Sequence, residues 1–324
     1  MRYPLSMHPS PQSPGHLEVS WNRIGTTRTL QEASYRNIRY PILEYRVGNA
    51  PKSAPALVIT GGVHGLERIG TDVAFSLMET ILGRWDWDRS LRDLLDQVQL
   101  VLIPLVNPVG RAHFTRSNGN GVDLMRNAPV SAKQASFAVG GHDWSPRLPW
   151  FRGNPDQTEA GMEPESKALV DAVRGILKEA SYTLALDLHS GFGTQDQIWY
   201  PYAYSQDSFP SIDQVALFED LLRKAMPYHV YRVEPQARHY TTHGDLWDYL
   251  YLENNRKNFL PLTLEMGSWN WVRKNPLQLF SLLGPFNPIK LHRHQRAMRR
   301  HLPLFQFLMS LVASGIMRES NQRA

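Results

Sequence analysis

The chain has 324 residues, 42% of them hydrophobic and 20% charged, with a formal net charge of +5 from 35 Lys and Arg against 30 Asp and Glu. This composition fits a soluble globular protein with a core of good size and excludes a low-complexity chain. Cysteine is absent, so disulfides, thiolate metal sites and thiol nucleophiles are excluded, and any chemistry rests on His, Asp, Glu, Ser, Tyr or Arg.

The cationic excess is small for this length, and acidic and basic residues alternate through most segments, which argues against nucleic acid as a partner. No run of about 18 uncharged apolar residues occurs, and "MRYPLSMHPSPQSPGH" at the start lacks the apolar stretch of a signal peptide. The expectation is a cytoplasmic protein with no membrane partner.

In chain order, strands are expected at "PILEYRVG" near 41 and "ALVITG" near 56, then a helix over "ERIGTDVAFSLMETIL" from Glu67 and a strand at "VQLVLIP" near 98. Residues 128 to 162 are rich in Gly, Pro and Trp without periodicity, and a loop of that length predicts a rim or lid over a site. A helix "EPESKALVDAVRGILKEA" from Glu163 follows, then strands "TLALDLH" near 183 and "QIWYPYAY" near 197. Helices from Ser211 and Gly244 precede a strand "LPLTLEM" near 260. The basic "KLHRHQRAMRRHLP" leads into the apolar "LFQFLMSLVASGIM", and together they predict one amphipathic helix over about 289 to 316, docked at its apolar side with a solvated basic face. Alternating strands and helices without internal repeats predict a single α/β domain over 1 to 324, with a mixed, largely parallel central sheet and helices on both faces.

Three expected strands end in polar groups where their apolar runs stop: His64 with Glu67 in "TGGVHGLERIG", His189 after "LALDL", and Glu265 after "LPLTL". Two His and one Glu with an open fourth position form a known kind of catalytic zinc site. Glu265, on a neighbouring strand end, is then placed to act as general base toward water. Taken singly, His189 reads as a hydrogen-bonded structural residue and Glu67 as an ordinary acid in the first turn of a helix. Their coincidence at successive strand ends is what those separate readings explain poorly.

"GGVHGLE", "NPVGR", "RSNGNGVDLMRN", "LDLHSGFG" and "LTLEMG" occur in the order and at about the spacing of the zinc carboxypeptidase family, peptidase family M14, and its murein peptide amidase and succinylglutamate desuccinylase/aspartoacylase relatives. The chain resembles that family over roughly residues 55 to 270. The resemblance implies one zinc ion per chain, held by His64, Glu67 and His189, with Asp123 accepting from the imidazole of His64. It implies that Arg116 polarises the scissile carbonyl, in preference to its neighbour Arg111, that Arg126 binds a substrate carboxylate, and that Glu265 is the base. An aromatic hydroxyl is expected from Tyr240, with Tyr249 and Tyr251 as rivals.

Two positions depart from the family pattern. Met125 stands where an Asn usually helps clamp a terminal carboxylate, and Gly191 stands where the carboxypeptidases often carry a tyrosine. The expected activity is zinc-dependent hydrolysis of amide bonds in a small peptide or an N-acyl amino acid. The alternatives are an N-acyl amino acid deacylase of the desuccinylase/aspartoacylase type and a non-catalytic metal-binding relative.

Overall fold

The computed structural model describes residues 14–137, 139–153, 158–255 and 258–323. Its strands are β1 (Gly25–Tyr35), β2 (Ile38–Val47), β3 (Ala56–Gly61), β4 (Gln99–Ile103), β5 (Thr183–Ser190), β6 (Gln197–Tyr200), β7 (Arg232–Pro235) and β8 (Phe259–Met266). The helices are α1 (Pro14–Trp21), α2 (Arg68–Arg84), α3 (Arg89–Leu95), α4 (Pro108–His113), α5 (Pro164–Glu179), α6 (Ile212–Ala225), α7 (Leu246–Glu253), α8 (Trp269–Lys274), α9 (Leu291–Ala313) and α10 (Ile316–Arg323).

One eight-stranded sheet runs in the order β1-β2-β4-β3-β5-β8-β6-β7. The ladders β3/β4, β3/β5, β5/β8 and β6/β7 are parallel, while β1/β2, β2/β4 and β6/β8 are antiparallel. Every residue of β3, β4 and β5 is buried. That follows from strands covered on both faces and explains their unbroken apolar runs. The sheet and its surrounding helices match the fold class expected from the sequence.

Helix α2 forms because Ile69, Val73, Ala74, Leu77, Met78 and Ile81 recur at helical spacing and bury one face. It packs on β3 and β5 and against α9. The amphipathic C-terminal segment is docked as expected, burying Ala297, Leu304, Phe305, Leu308 and Val312 of α9. The helix ends at Ala313, and Gly315, with a φ of +71°, separates it from α10. The structure also shows two strands that the apolar pattern did not suggest, β1 and the short β7. The strand expected at 197 to 204 stops at Tyr200, before Pro201, which has no N–H for a ladder.

Connections from β3 lead to β4 on one side, while β5, on the other side of β3, continues toward β6. The carboxyl ends of β3 and β5 therefore border a crevice where successive connections diverge, the usual ligand position in an open α/β sheet.

Candidate metal centre and catalytic cleft

The turn after β3 carries the first two predicted ligands. Gly62 adopts a φ of +62°, and a Cβ there would sit 2.5 Å from Thr71 Oγ1, so only glycine allows the chain to leave the strand this sharply. His64 and Glu67 follow, both buried, with Glu67 at the N-cap of α2. His189 lies on β5, directly opposite Glu265 on β8 in the parallel ladder.

The three side chains converge. One ligand atom from each of His64, Glu67 and His189 lies within 4.8 Å of the others. His64 Nδ1 is 2.8 Å from Glu67 Oε1, and His189 Nδ1 is 3.0 Å from Glu67 Oε2. The far nitrogen of each ring meets a second buried carboxylate: His64 Nε2 is 2.9 Å from Asp123 Oδ1, and His189 Nε2 is 2.7 Å from Asp187 Oδ2.

His189 thus has a carboxylate oxygen at both nitrogens, which a neutral ring cannot satisfy, since it carries one N–H. The arrangement calls for positive charge at the Nδ1 side. Burial works against a charged His189, yet Asp187 and Glu67 outweigh it and hold its pKa well above the ordinary value. Two Nδ1 atoms and a carboxylate, each His backed by a hydrogen-bonded acid, are the donor set a zinc ion takes.

Asp123 is fully buried and caps a short 3-10 turn at Leu124–Arg126 by accepting from the Met125 N–H. Burial alone would raise its carboxyl, but the Arg116 guanidinium and His64 hold it well below the usual range. Arg116 donates from Nε to Asp123 (2.9 Å) and from Nη1 to Glu67 Oε1 (3.2 Å), and its Nη2 is 2.9 Å from His64 Nε2. Its rival Arg111 instead pairs with Asp72 at 2.8 Å.

A cleft of about 240 Å³ opens over these groups, with Met125, Arg126, Tyr240, Glu265 and Asp245 in its walls. Val139 and Trp150 also line it, so the long segment expected as a rim does border the cleft. Arg126 is buried and donates to the carbonyls of Val139 (3.2 Å) and Met125 (3.4 Å). Tyr240 stands among Phe192 and Trp199, with ring centroids 5.8 and 6.1 Å away. Tyr249 donates to Glu159 and Tyr251 bonds Ser211, and neither lines the cleft. Glu265 Oε1 accepts from the Phe192 N–H at 2.9 Å. Burial, with Glu67 adding to it, pushes the Glu265 carboxyl up to about 8. Gly191, with a φ of +128°, lies against the ring of Phe286.

Two acids of the site were not singled out from the sequence. Asp187 stands two residues before His189 on one strand, hence on the same face, and a charge inside the apolar run "LALDL" was the available signal. Asp245 is buried in the cleft wall and caps α7, accepting from the N–H groups of Trp247 and Asp248.

Both the sequence and the fold have known relatives. Mouse carboxypeptidase A4 is 25% identical over 193 residues, 57% of this chain and 43% of that protein. The "Inactive metallocarboxypeptidase ECM14" of Saccharomyces cerevisiae is 26% identical over 180 residues, 50% of this chain and 39% of that protein. These matches span less than half the length of either relative. In fold, the chain is similar to bovine thrombin-activatable fibrinolysis inhibitor, solved in complex with tick carboxypeptidase inhibitor. The TM-score is 0.68 at 18% identity, covering 93% of this chain and 95% of that one. The sequence profile described as "Zinc carboxypeptidase" matches residues 24–274, most of the chain, and the protein belongs to that family, peptidase family M14.

Proposed function

We propose that the protein is a metal-dependent hydrolase of amide bonds. The observation that carries this reading is the convergence of His64, Glu67 and His189 on the floor of a cleft that Glu265, Arg116 and Arg126 also line. Zinc held by the three ligands would supply a Lewis acid and lower the pKa of water at the site. The charge of that metal would draw the Glu265 carboxyl, raised by burial and by Glu67, back to its carboxylate form, and Glu265, oriented through Oε1 by the Phe192 N–H, would then take a proton from the attacking water and return it to the leaving amine. Arg116, braced by Asp123 and Glu67, places fixed positive charge where the tetrahedral oxyanion develops. Tyr240 contributes a hydroxyl at the cleft wall.

Arg126 is bonded to main-chain carbonyls and keeps its full charge for an anionic substrate group. Met125 beside it lines the same wall, and its thioether is a poor partner for a carboxylate. That favours a substrate held by one arginine, such as an N-acyl amino acid or a peptide with a partly apolar end, over an ordinary C-terminal residue. A relative that bears the name inactive makes turnover itself the first quantity to measure. The test is metal analysis of the purified protein with a hydrolysis screen over C-terminal peptides and N-acyl amino acids. Stoichiometric zinc with turnover in either series supports the proposal. A protein that binds zinc and turns over neither would be the non-catalytic relative.

A further inference from the structure

Large apolar side chains on a globular surface usually stand singly, and the loop joining α8 to α9 departs from that rule. Leu277, Phe280 and Leu282 are 73%, 90% and 66% exposed, and Leu279 and Ile289 are exposed beside them. The loop is nonetheless pinned. Gln278 is buried and donates from Nε2 to the carbonyl of Gly284 at 2.6 Å. Asn287 donates to the carbonyl of Leu66 at 2.7 Å and accepts from the Ile69 N–H at 2.9 Å. An anchored backbone therefore holds the apolar side chains in solvent.

The same two helices enclose a basic cleft of about 160 Å³, lined by Lys274, His292, Arg293, Arg296 and Arg300, with Asp196 its one acidic lining residue. Asp196 neutralises Arg300 at 2.8 Å. Arg293 donates to the carbonyls of Trp271 and Lys274, which leave its charge uncompensated. Neither Lys274 nor Arg296 has a carboxylate partner among the described residues. Lys274 is three residues from Leu277, and Ile289 is three residues from His292, so cationic and apolar groups alternate along one connection.

We propose that this face docks on an anionic lipid surface, with Leu277, Phe280 and Leu282 entering the interface while Lys274, Arg293 and Arg296 meet the lipid phosphates. Charge complementarity selects this occupant, because an apolar insertion flanked by cations matches the depth profile of a bilayer surface. Side chains exposed this far would each need a matching hollow in a protein partner, and a fluid interface needs none. A second copy joined by a two-fold contact would bring the same uncompensated cations together. Among the described residues no helix is long and apolar enough to cross a membrane, and docking requires none. The sequence-based expectation of no membrane partner rested on the lack of a spanning or signal segment and on the docked C-terminal helix, and it did not weigh the loop that precedes that helix. Phe286, in the same loop, lines the catalytic cleft, so docking would bring the mouth of that cleft near the surface.

The experiment is co-sedimentation of the full chain with vesicles of phosphatidylcholine, alone or mixed with phosphatidylglycerol, at low and high salt. The expected result is binding to the mixed vesicles, about tenfold or more weaker on neutral ones and at high salt. The pair Leu277→Ser and Phe280→Ser, and separately the pair Lys274→Glu and Arg296→Glu, should each weaken it about tenfold or more while thermal melting stays native. No binding to anionic vesicles, equal binding to neutral ones, or binding indifferent to both pairs would overturn the proposal. So would a dimer in sedimentation velocity that Phe280→Ser dissolves without any vesicle binding, which would assign the face to a second copy. Titration of inorganic phosphate into the cleft, in a protein that ignores vesicles, would reassign it to a free anion.

Discussion

Replacing Asp187 by Asn isolates one charge behind the proposed metal ligand His189. Asp187 is fully buried and accepts from three donors: Thr60 Oγ1 at 2.7 Å on Oδ1, and His189 Nε2 at 2.7 Å and Trp247 Nε1 at 2.9 Å on Oδ2. With its amide oxygen in the Oδ2 place, Asn still accepts from the imidazole and the indole. Its NH₂ can donate to the Thr60 hydroxyl, which accepts as readily as it donates. The hydrogen bonds persist and only the negative charge is lost. Loss of such a carboxylate behind a ligating His typically costs about 10- to 100-fold in metal affinity, which is about 1.4 to 2.8 kcal/mol. Asp187→Ala is the less informative change, because it strands three buried donors at about 1 to 3 kcal/mol each and threatens the fold. The assay is competition for zinc against a chromophoric chelator, with thermal melts of the metal-free protein as control. A zinc affinity within about threefold of the parent, below the range for such carboxylates, would show that Asp187 does not act through His189.

His64→Ala and His189→Ala should each abolish stoichiometric zinc by metal analysis, and zinc retained in both would sink the ligand assignment. Glu265→Gln should keep fold and zinc yet lower kcat by about 10²- to 10⁴-fold, and near-normal turnover would move the base elsewhere. Glu163 and Glu234 are poor substitutes, since the first is tied to Asn118 and Asn120 and the second to Arg238 and His239. Met125→Asn should raise kcat/KM for peptides with a free C-terminus by about tenfold, since it restores a charge-assisted hydrogen bond, and a neutral or harmful effect would refute the account of the wall. The Asp72 carboxyl is raised by burial, but the hydrogen bond from His294 and the charge of Arg111 outweigh that and hold its pKa below the usual value. A depressed carboxylate contributes stability that is present above its unfolded pKa and lost as pH falls through the folded one, so the melting-temperature gap between the parent and Asp72→Asn should shrink below about pH 4.

The legible parts of the fold were those buried on both sides. β3, β4, β5 and β8 lie in the middle of the sheet and advertise themselves as apolar runs, whereas β1, "GTTRTLQEASY", is an edge strand with most side chains at least partly exposed. Its pairing with β2 is decided by the hairpin partner rather than by its own hydrophobicity. β7 has four residues and borrows its order from β6. In the site, the three side chains that converge, His64, Glu67 and His189, stood out because strand ends punctuate apolar runs with polar groups. Asp187 was hidden by the same rule, since it sits inside the run. Asp245 was hidden by having a sufficient local explanation as a helix cap. The sequence favoured Arg116 over Arg111 by motif phase alone. What separates them in space is the left-handed turn at Phe114, φ +58°, which ends α4 after Arg111 and sends Arg116 back over Glu67.

The register of the central ladder makes one further relation rigid. His189 and Glu265 are partners in the parallel β5/β8 pair, so the proposed ligand and the proposed base are separated by one inter-strand spacing, about 4.8 Å at the backbone. A spacing set by main-chain hydrogen bonds does not relax when a side chain in the cleft changes. Variation in substrate preference within this scaffold is therefore expected to fall on residues delivered by loops, such as Met125, Gly191 and Tyr240. The relation between the proposed ligand and the proposed base belongs to the sheet. A one-residue slip of β8 against β5 would turn Glu265 to the opposite face and put Leu264 beside His189, removing the proposed base while leaving His64, Glu67 and His189 in place. The buried strand faces on both sides, which would have to exchange their whole apolar complement, are what prevents that slip.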